Sequence, residues 1–284
     1  MSVNVATPPP PVAVRAHGLT DRGQVRPKNE DHFLIAELAR TLWVKQTSLP
    51  QAPTQYGRNR GHILLVADGM GGHKAGGVAS ALSVATIENF VLHILKRFSN
   101  LQASDEQAVV KDLQTALLRA DARIFEEAAH HPQLLGMGTT LTMAFISGWK
   151  LFIMHAGDSR CYLLRGGKLR QLTTDHTVAA ELARQGVIRP EDVSHHKFRH
   201  VVTSVLGGGE SGVQVEVQRA DLESGDVLLL CSDGLTEMLA DERIAAVLNA
   251  EGDLEQVARR LVAEANEQGG KDNITAVVAR IERV

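Results

Sequence analysis

The sequence predicts an α+β fold in which strands gather into antiparallel sheets and long helices pack outside them. Strand-like runs come in blocks between long helical patterns, without the regular alternation that a doubly wound parallel sheet requires. Four short acidic clusters, NED at 29–31, ADG at 67–69, SDG at 232–234 and KDN at 271–273, recur across almost the whole chain, the last three each beside a hydrophobic run. A carboxylate so placed rides at the end of a buried strand. Carboxylates so far apart in sequence meet only across a sheet-on-sheet core, which makes residues 12–284 one domain.

The elements follow in order. Residues 1–11 end in PPPP and lack both a basic stretch and an apolar one, so they are expected to be a disordered tail and not a signal peptide. Strands are expected at Val12–Leu19, His32–Leu38 and His62–Ala67 from their β-branched and apolar runs. Residues 39–61, with two prolines and many polar side chains, form an insertion long for a hairpin connection. Val84, Ile87, Val91, Ile94 and Phe98 step by three and four, as do Val110, Leu113, Leu117, Ala120 and Ile124, giving two long amphipathic helices. A block of strands follows at Thr140–Ile146, Leu151–Ala156 and Arg160–Arg165, the last turning at Gly166-Gly167 as a two-residue hairpin. Residues 174–210 hold a short helical piece (Val178–Gln185), then HHKFRH and three glycines, the pattern of an ordered flap. Strands at Val213–Gln218 and Asp226–Cys231, a helix through Leu254, Val257, Leu261 and Ala265, and a last strand at Thr275–Arg280 complete the chain.

Composition removes several classes of function. A hydrophobic fraction of 44% is enough for a sizeable core. A net charge of −3 and 4% aromatic residues offer no basic or stacking surface for nucleic acid. No run approaches the roughly 20 apolar residues of a membrane span. Cys161 and Cys231 sit inside apolar runs and read as core residues of a reducing compartment, so a cytoplasmic location is expected.

Several anionic groups brought to one point repel each other and lose hydration unless a cation lies between them. In ADGMGGHKAGG (67–77), Asp68 and the carbonyl of Gly69 can supply two hard oxygen ligands from one turn, which suits Mg²⁺ or Mn²⁺ equally. A phosphate-binding P-loop fails here because Gly72 is followed by His73-Lys74-Ala75. A glycine-rich turn in which Asp68 merely caps the next helix is the plain alternative, and this segment alone leaves the two level. Asp233 in SDGL could likewise be ordinary turn chemistry, and Asp158 in GDSR (157–160) a simple hairpin turn. Asp272 stands just before the last strand.

Together the motifs resemble the metal-dependent protein phosphatases, the type-2C serine/threonine phosphatases in their bacterial form. The matching pieces are LTDRGQVRPKNED (19–31), LLVADGMGGHKAGG (64–77), GMGTTLTMA (136–144), HAGDSRCYLLRGGKLRQLTTDHT (155–177), LLLCSDGLTEML (229–239) and GGKDNITAVVA (269–279), running from about Val14 to the C-terminus. The resemblance implies a central antiparallel β-sandwich flanked by helices on both faces, a four-layer α/β/β/α stack. It implies two Mn²⁺ or Mg²⁺ ions per active site and a third, weaker one. By motif position Asp68 would bridge the pair, with the Gly69 carbonyl, Asp233 and Asp272 as further ligands. Glu30 would serve the second ion, with Asp31 close by as a ligand or holding ion-bound water, and Asp158 the third with Asp233. Arg26 would grip the substrate phosphate, and water would attack phosphorus directly. Met70 stands where eukaryotic relatives place a histidine, leaving His73, or water on the third ion, as candidate acids for the leaving group. Ser204 stands where many relatives carry a flap arginine.

The expected partners are phosphorylated proteins, a serine/threonine kinase or its substrates, with neither nucleic acid nor membrane, and the chain itself a monomer. A pseudophosphatase of the same fold would lack a metal carboxylate or the arginine, and all are present. A two-metal nuclease would want a basic or aromatic surface. A scaffold around structural calcium leaves Arg26 and the glycine loop unexplained.

Overall fold

The computed structural model describes residues 12–43, 54–71, 75–98, 106–208, 212–250 and 252–284. The expected tail at 1–11 lies outside the described residues. Two five-stranded antiparallel sheets form the centre. In one, β1 (Val12–Asp21), β13 (Ile274–Arg283), β12 (Val227–Cys231), β8 (Arg160–Arg165) and β9 (Lys168–Gln171) lie side by side in that order. In the other the order is β11 (Glu216–Asp221), β7 (Lys150–Ala156), β6 (Leu141–Ser147), β3 (Thr54–Ala67) and β2 (His32–Trp43).

Strand alternation sorts the side chains into layers. Leu64 and Val66 of β3 face Leu228 and Leu230 of β12 and Val277 and Ala279 of β13 in the core between the sheets. Ile63, Leu65 and Ala67, one residue out of phase, pack instead with helices α1 (Ala75–Phe98) and α2 (Glu106–His130). On the other face Leu229, Ala276 and Val278 meet α5 (Asp241–Leu248) and α6 (Leu254–Glu267). These strands are therefore buried on both faces, which is why they read as unbroken apolar runs rather than alternating ones. The four-layer order helices, sheet, sheet, helices is the one the sequence implied.

Three local differences have physical causes. Strands β2 and β3 continue into the expected insertion, pairing as far as Trp43 with Thr54 past a register shift between Ala39 and Thr41. Much of 39–61 is thus hairpin strand. Strand β11 lies at 216–221, not 213–218, because Gln214 is tied to the flap through Ser204 Oγ, which accepts its N–H at 3.1 Å. The connection from β7 to β8 through Asp158 is no hairpin, since β7 and β8 belong to different sheets.

The 174–210 excursion is folded onto itself. It contains α3 (Val178–Arg184), capped by Thr177, and a 3₁₀ turn at Pro190–His195. Its two ends meet at a β-bridge between Thr177 and Val202. It leaves through β10 (Leu206–Gly207), which pairs with β5 (Gly138–Thr139), and β5 pairs in turn with β4 (Gly69–Met70). A small sheet therefore links the flap to the loop that follows Asp68. Among the described residues no helix is long and apolar enough to cross a membrane.

Candidate metal centre

Strand register brings the acidic clusters to one end of the sandwich. In one sheet His32 pairs with Ala67 and Leu141 with Ala156, so Asp31, Asp68 and Asp158 lie just beyond the same edge. In the other, Asp21 pairs with Ile274, and Cys231 with both Ala276 and Arg160, so Arg26, Asp158, Asp233 and Asp272 extend beyond the matching edge.

Backbone contacts fix these ends closely. Thr140 N–H and Thr139 Oγ1 both donate to the carbonyl of Asp68 at 2.9 Å, and Asp68 N–H donates to Thr140 Oγ1 at 3.1 Å. Asp68 leads directly into the strand residues Gly69 and Met70, so it does not cap α1. A Cβ on Gly69 would lie 2.2 Å from the carbonyl oxygen of Gly76, and one on Gly234 would lie 2.0 Å from that of Asn273. Glycine is required at both places because two backbones pass at contact.

Asp31 is almost fully buried, and its Oδ2 accepts 2.7 Å hydrogen bonds from Ser232 and Thr275. Those donors come from the other sheet, so Asp31 is held across the sandwich. Asn273 performs the same service for the 22–30 loop: its Oδ1 accepts from Glu30 N–H, and its Nδ2 donates to the carbonyls of Arg22 and Lys28, all at 2.8 Å. Glu30 gives its own carbonyl to Ser80 at 2.6 Å, placing its backbone against the start of α1. Arg26 Nη2 lies 2.5 Å from Asp272 Oδ2, with its side chain half exposed at the mouth.

The electrostatics are those of crowded anions. Burial, then the charges of Asp31, Asp233, Asp158 and Asp272, holds the Asp68 carboxyl well above its ordinary range. Burial and then Asp158, Glu237, Asp272 and Asp31 do the same to Asp233. Burial pushes Asp31 up to about 6 against the opposing hydrogen bonds of Thr275 and Ser232, and pushes Asp158 up to about 7 with help from Asp175. Asp31 Oδ1 and Asp233 Oδ1 are buried with no hydrogen-bond partner. Such oxygens are costly unless something positive meets them. An all-oxygen donor set around carboxylates that repel each other fits hard divalent cations, and Asp68, Asp233 and Asp272 are candidates to hold them.

A chain of groups behind Asp158 had no separate signal in the sequence reading. His176 accepts Gly157 N–H at Nδ1 (3.3 Å), and its own N–H donates to the Gly157 carbonyl (2.7 Å). With Nδ1 accepting, Nε2 carries the proton toward Glu216 Oε2, 3.6 Å away. His155, 4.8 Å from His176 between ring centroids, has both nitrogens engaged by Thr142 and Thr174, and burial lowers it to about 4. These groups brace the turn that carries Asp158. Both cysteines are buried in the core, where burial pushes their thiols up, so neither offers a thiolate nucleophile. His73 lies outside the described residues.

The family model for protein phosphatase 2C matches residues 53–279. The chain belongs to the protein phosphatase 2C family. Among curated relatives, a serine/threonine phosphatase, stp, of Listeria innocua is 34% identical over 259 residues, spanning 91% of this chain and 92% of that one. The serine/threonine protein phosphatase PstP of Mycobacterium tuberculosis is 34% identical over 95% of this chain, which covers 45% of that longer protein. The crystal structure of a PstP catalytic domain in complex with two manganese ions matches with a TM-score of 0.73 at 33% identity, over 95% of this chain and 99% of the other. Stp1 from Staphylococcus aureus matches with a TM-score of 0.76 at 28% identity, over 99% and 100% of the two chains.

Proposed function

We propose that this phosphatase 2C chain is a metal-dependent protein serine/threonine phosphatase that hydrolyses phosphoserine and phosphothreonine monoesters by direct attack of water. The observation that supports this reading is the crowding of acidic groups at one end of the sandwich, where Asp68, Asp233 and Asp272 act on one another's charge, Asp31 Oδ1 and Asp233 Oδ1 are buried without partners, and Arg26 stands beside Asp272. Two Mn²⁺ or Mg²⁺ ions bound there would supply Lewis acidity, acidifying water and polarising the phosphoryl oxygens. Asp68, the Gly69 carbonyl, Asp233 and Asp272 would hold them. Asp31, fixed by Ser232 and Thr275, orients solvent beside them, and Glu30 is carried on the same loop. Arg26 offers a planar guanidinium fork to phosphate oxygens, which a lysine would match less well. Asp158, held on its braced turn, would serve a third, weaker ion with Asp233. His73 is a candidate acid for the leaving alkoxide.

Residues 12–284 act as one catalytic domain, with 174–210 as its flap. Phosphorylated proteins are the substrates, foremost a serine/threonine kinase of the same cell or that kinase's targets. We take the chain to act as a cytoplasmic monomer.

Chelator-stripped protein should be inert on p-nitrophenyl phosphate and on a phosphothreonine peptide, and should recover both activities when Mn²⁺ or Mg²⁺ is returned. Activity indifferent to metal, or confined to a phosphodiester, contradicts the reading.

A further inference from the structure

Asp158 stands at a corner where β7 of one sheet hands the chain to β8 of the other. The two ladders end at Ala156 and at Arg160, so Gly157, Asp158 and Ser159 lie between them. Backbone groups there have no strand partner and must be met by side chains or loops. Gly157 turns at φ +118°, and a Cβ on it would lie 2.5 Å from Thr140 Cβ. The turn thus presses against the same threonine whose hydroxyl holds Asp68 N–H.

Two consecutive residues, Asp175 and His176, grip this turn on both flanks. Asp175 accepts a two-pronged contact from Arg160, at 2.9 Å from Nε and 2.7 Å from Nη2. His176 accepts the Gly157 N–H on Nδ1 at 3.3 Å and gives its own backbone N–H to the Gly157 carbonyl at 2.7 Å. Between the flanks, the hydroxyls of Ser159 and Thr140 share a 2.7 Å hydrogen bond. Of these holds, the one on Gly157 N–H depends on where a proton sits. A neutral imidazole accepts at one nitrogen and donates at the other, and here the acceptor must be Nδ1. Glu216 Oε2 lies 3.6 Å from Nε2, an electrostatic contact that favours the proton on that side. Its carboxylate is itself fixed, by Thr174 N–H at 3.0 Å and Gln218 Nε2 at 2.9 Å. Burial opposes its charge, but the contacts of His176, Gln218 and Thr174 bring its carboxyl down to about 2, so it stays an acceptor. Strand register sets Glu216 opposite His155 on β7, three residues before Asp158.

We propose that Glu216 and His176 are positioning residues for Asp158: the carboxylate keeps the His176 proton on Nε2, which leaves Nδ1 to fix Gly157 and so sets where the Asp158 carboxylate points. This rests on the phosphatase reading above, in which Asp158 would hold an ion with Asp233. Both residues act through the turn and not on the substrate. Loss of a group that orients a metal-binding turn in this way costs about tenfold or more in ion affinity or activity. Removing the Nδ1 acceptor also leaves a buried backbone N–H unpaired, so the turn must rearrange to meet it.

The test pairs a spectrum with kinetics. In chelator-stripped full-length protein carrying isotope-labelled histidine, nitrogen NMR should show the His176 proton on Nε2, and Glu216→Ala should mix the two tautomers. With Mn²⁺ and p-nitrophenyl phosphate, Glu216→Ala and His176→Leu should lose about tenfold or more in kcat, with KM within about twofold of wild type. Glu216→Gln and His176→Asn each keep an acceptor oxygen facing the donor concerned, and should recover most of that loss. If His176→Leu does not fold, the two Glu216 variants decide. A wild-type His176 with its proton on Nδ1 overturns the positioning pair and leaves the phosphatase reading standing. So does His176→Asn as impaired as a folded His176→Leu, since the ring then serves only as packing, and so does Glu216→Ala with wild-type kcat. A wild type inert with Mn²⁺ and with Mg²⁺ overturns the phosphatase reading and this assignment together.

Discussion

Asp31 shows what a single carboxylate costs and how it is kept. Its ordinary range is near 4, yet burial raises it to about 6, and Asp158 to about 7. Between these values and the ordinary one, the folded protein holds protons that the unfolded chain has released, so stability of the metal-free protein falls as pH rises. Lowering the pH from 8 to about 5.5 should therefore stabilise chelator-treated protein, by roughly 0.8 kcal/mol from Asp31 alone. His155 works in the opposite direction below about 6.5, since it stays neutral in the fold while the unfolded imidazole charges. Urea midpoints at both pH values, compared between wild type and Asp31→Asn, separate the two. The gain at low pH should shrink in the variant, and an unchanged gain would show that Asp31 does not carry the shift. The aspartates themselves were legible because each sits in a short motif beside an apolar run. Ser232, Thr275 and Asn273 were not, because their partners are a whole chain away and no local spacing marks a hydroxyl that crosses a sandwich.

At the scale of elements, the turns that present the aspartates depend on backbones touching. Gly234 opens α4 against the carbonyl of Asn273, which lies next to Asp272. Gly234→Ala should force α4 and the start of β13 apart, separating Asp233 from Asp272. The expected result is a soluble, folded protein by circular dichroism that loses most activity and binds Mn²⁺ at least about tenfold more weakly, a shift of about 1.4 kcal/mol. Wild-type affinity in that variant would mean the close approach is incidental. Periodicity exposed α1, α2 and α6, and apolar runs exposed most of the central strands. The short strands β4, β5 and β10 were invisible, because two residues carry no period. They matter nonetheless, since they tie the flap to the Asp68 loop. The sequence places β11 at 213–218 because Val213, Val215 and Val217 alternate with polar residues there, whereas the flap holds the start of that segment and the strand runs from Glu216 to Asp221.

The whole molecule solves one problem of geometry. Two sheets, each buried on both faces, bring their strand ends together, and antiparallel register puts the residues before β2 and β13 level with those after β3 and β12. That convergence was inferable from the acidic clusters alone, as the only way for them to meet. The sheet-to-sheet corner at Asp158 was not, because its sequence is equally that of a hairpin. The central claim is that this convergence serves paired cations. Crystals grown with Mn²⁺ and measured for anomalous scattering test it most directly. Two strong anomalous peaks should lie within bonding distance of the Asp68, Asp233 and Asp272 carboxylates. An active enzyme whose crystals show no manganese between those three side chains would contradict the account.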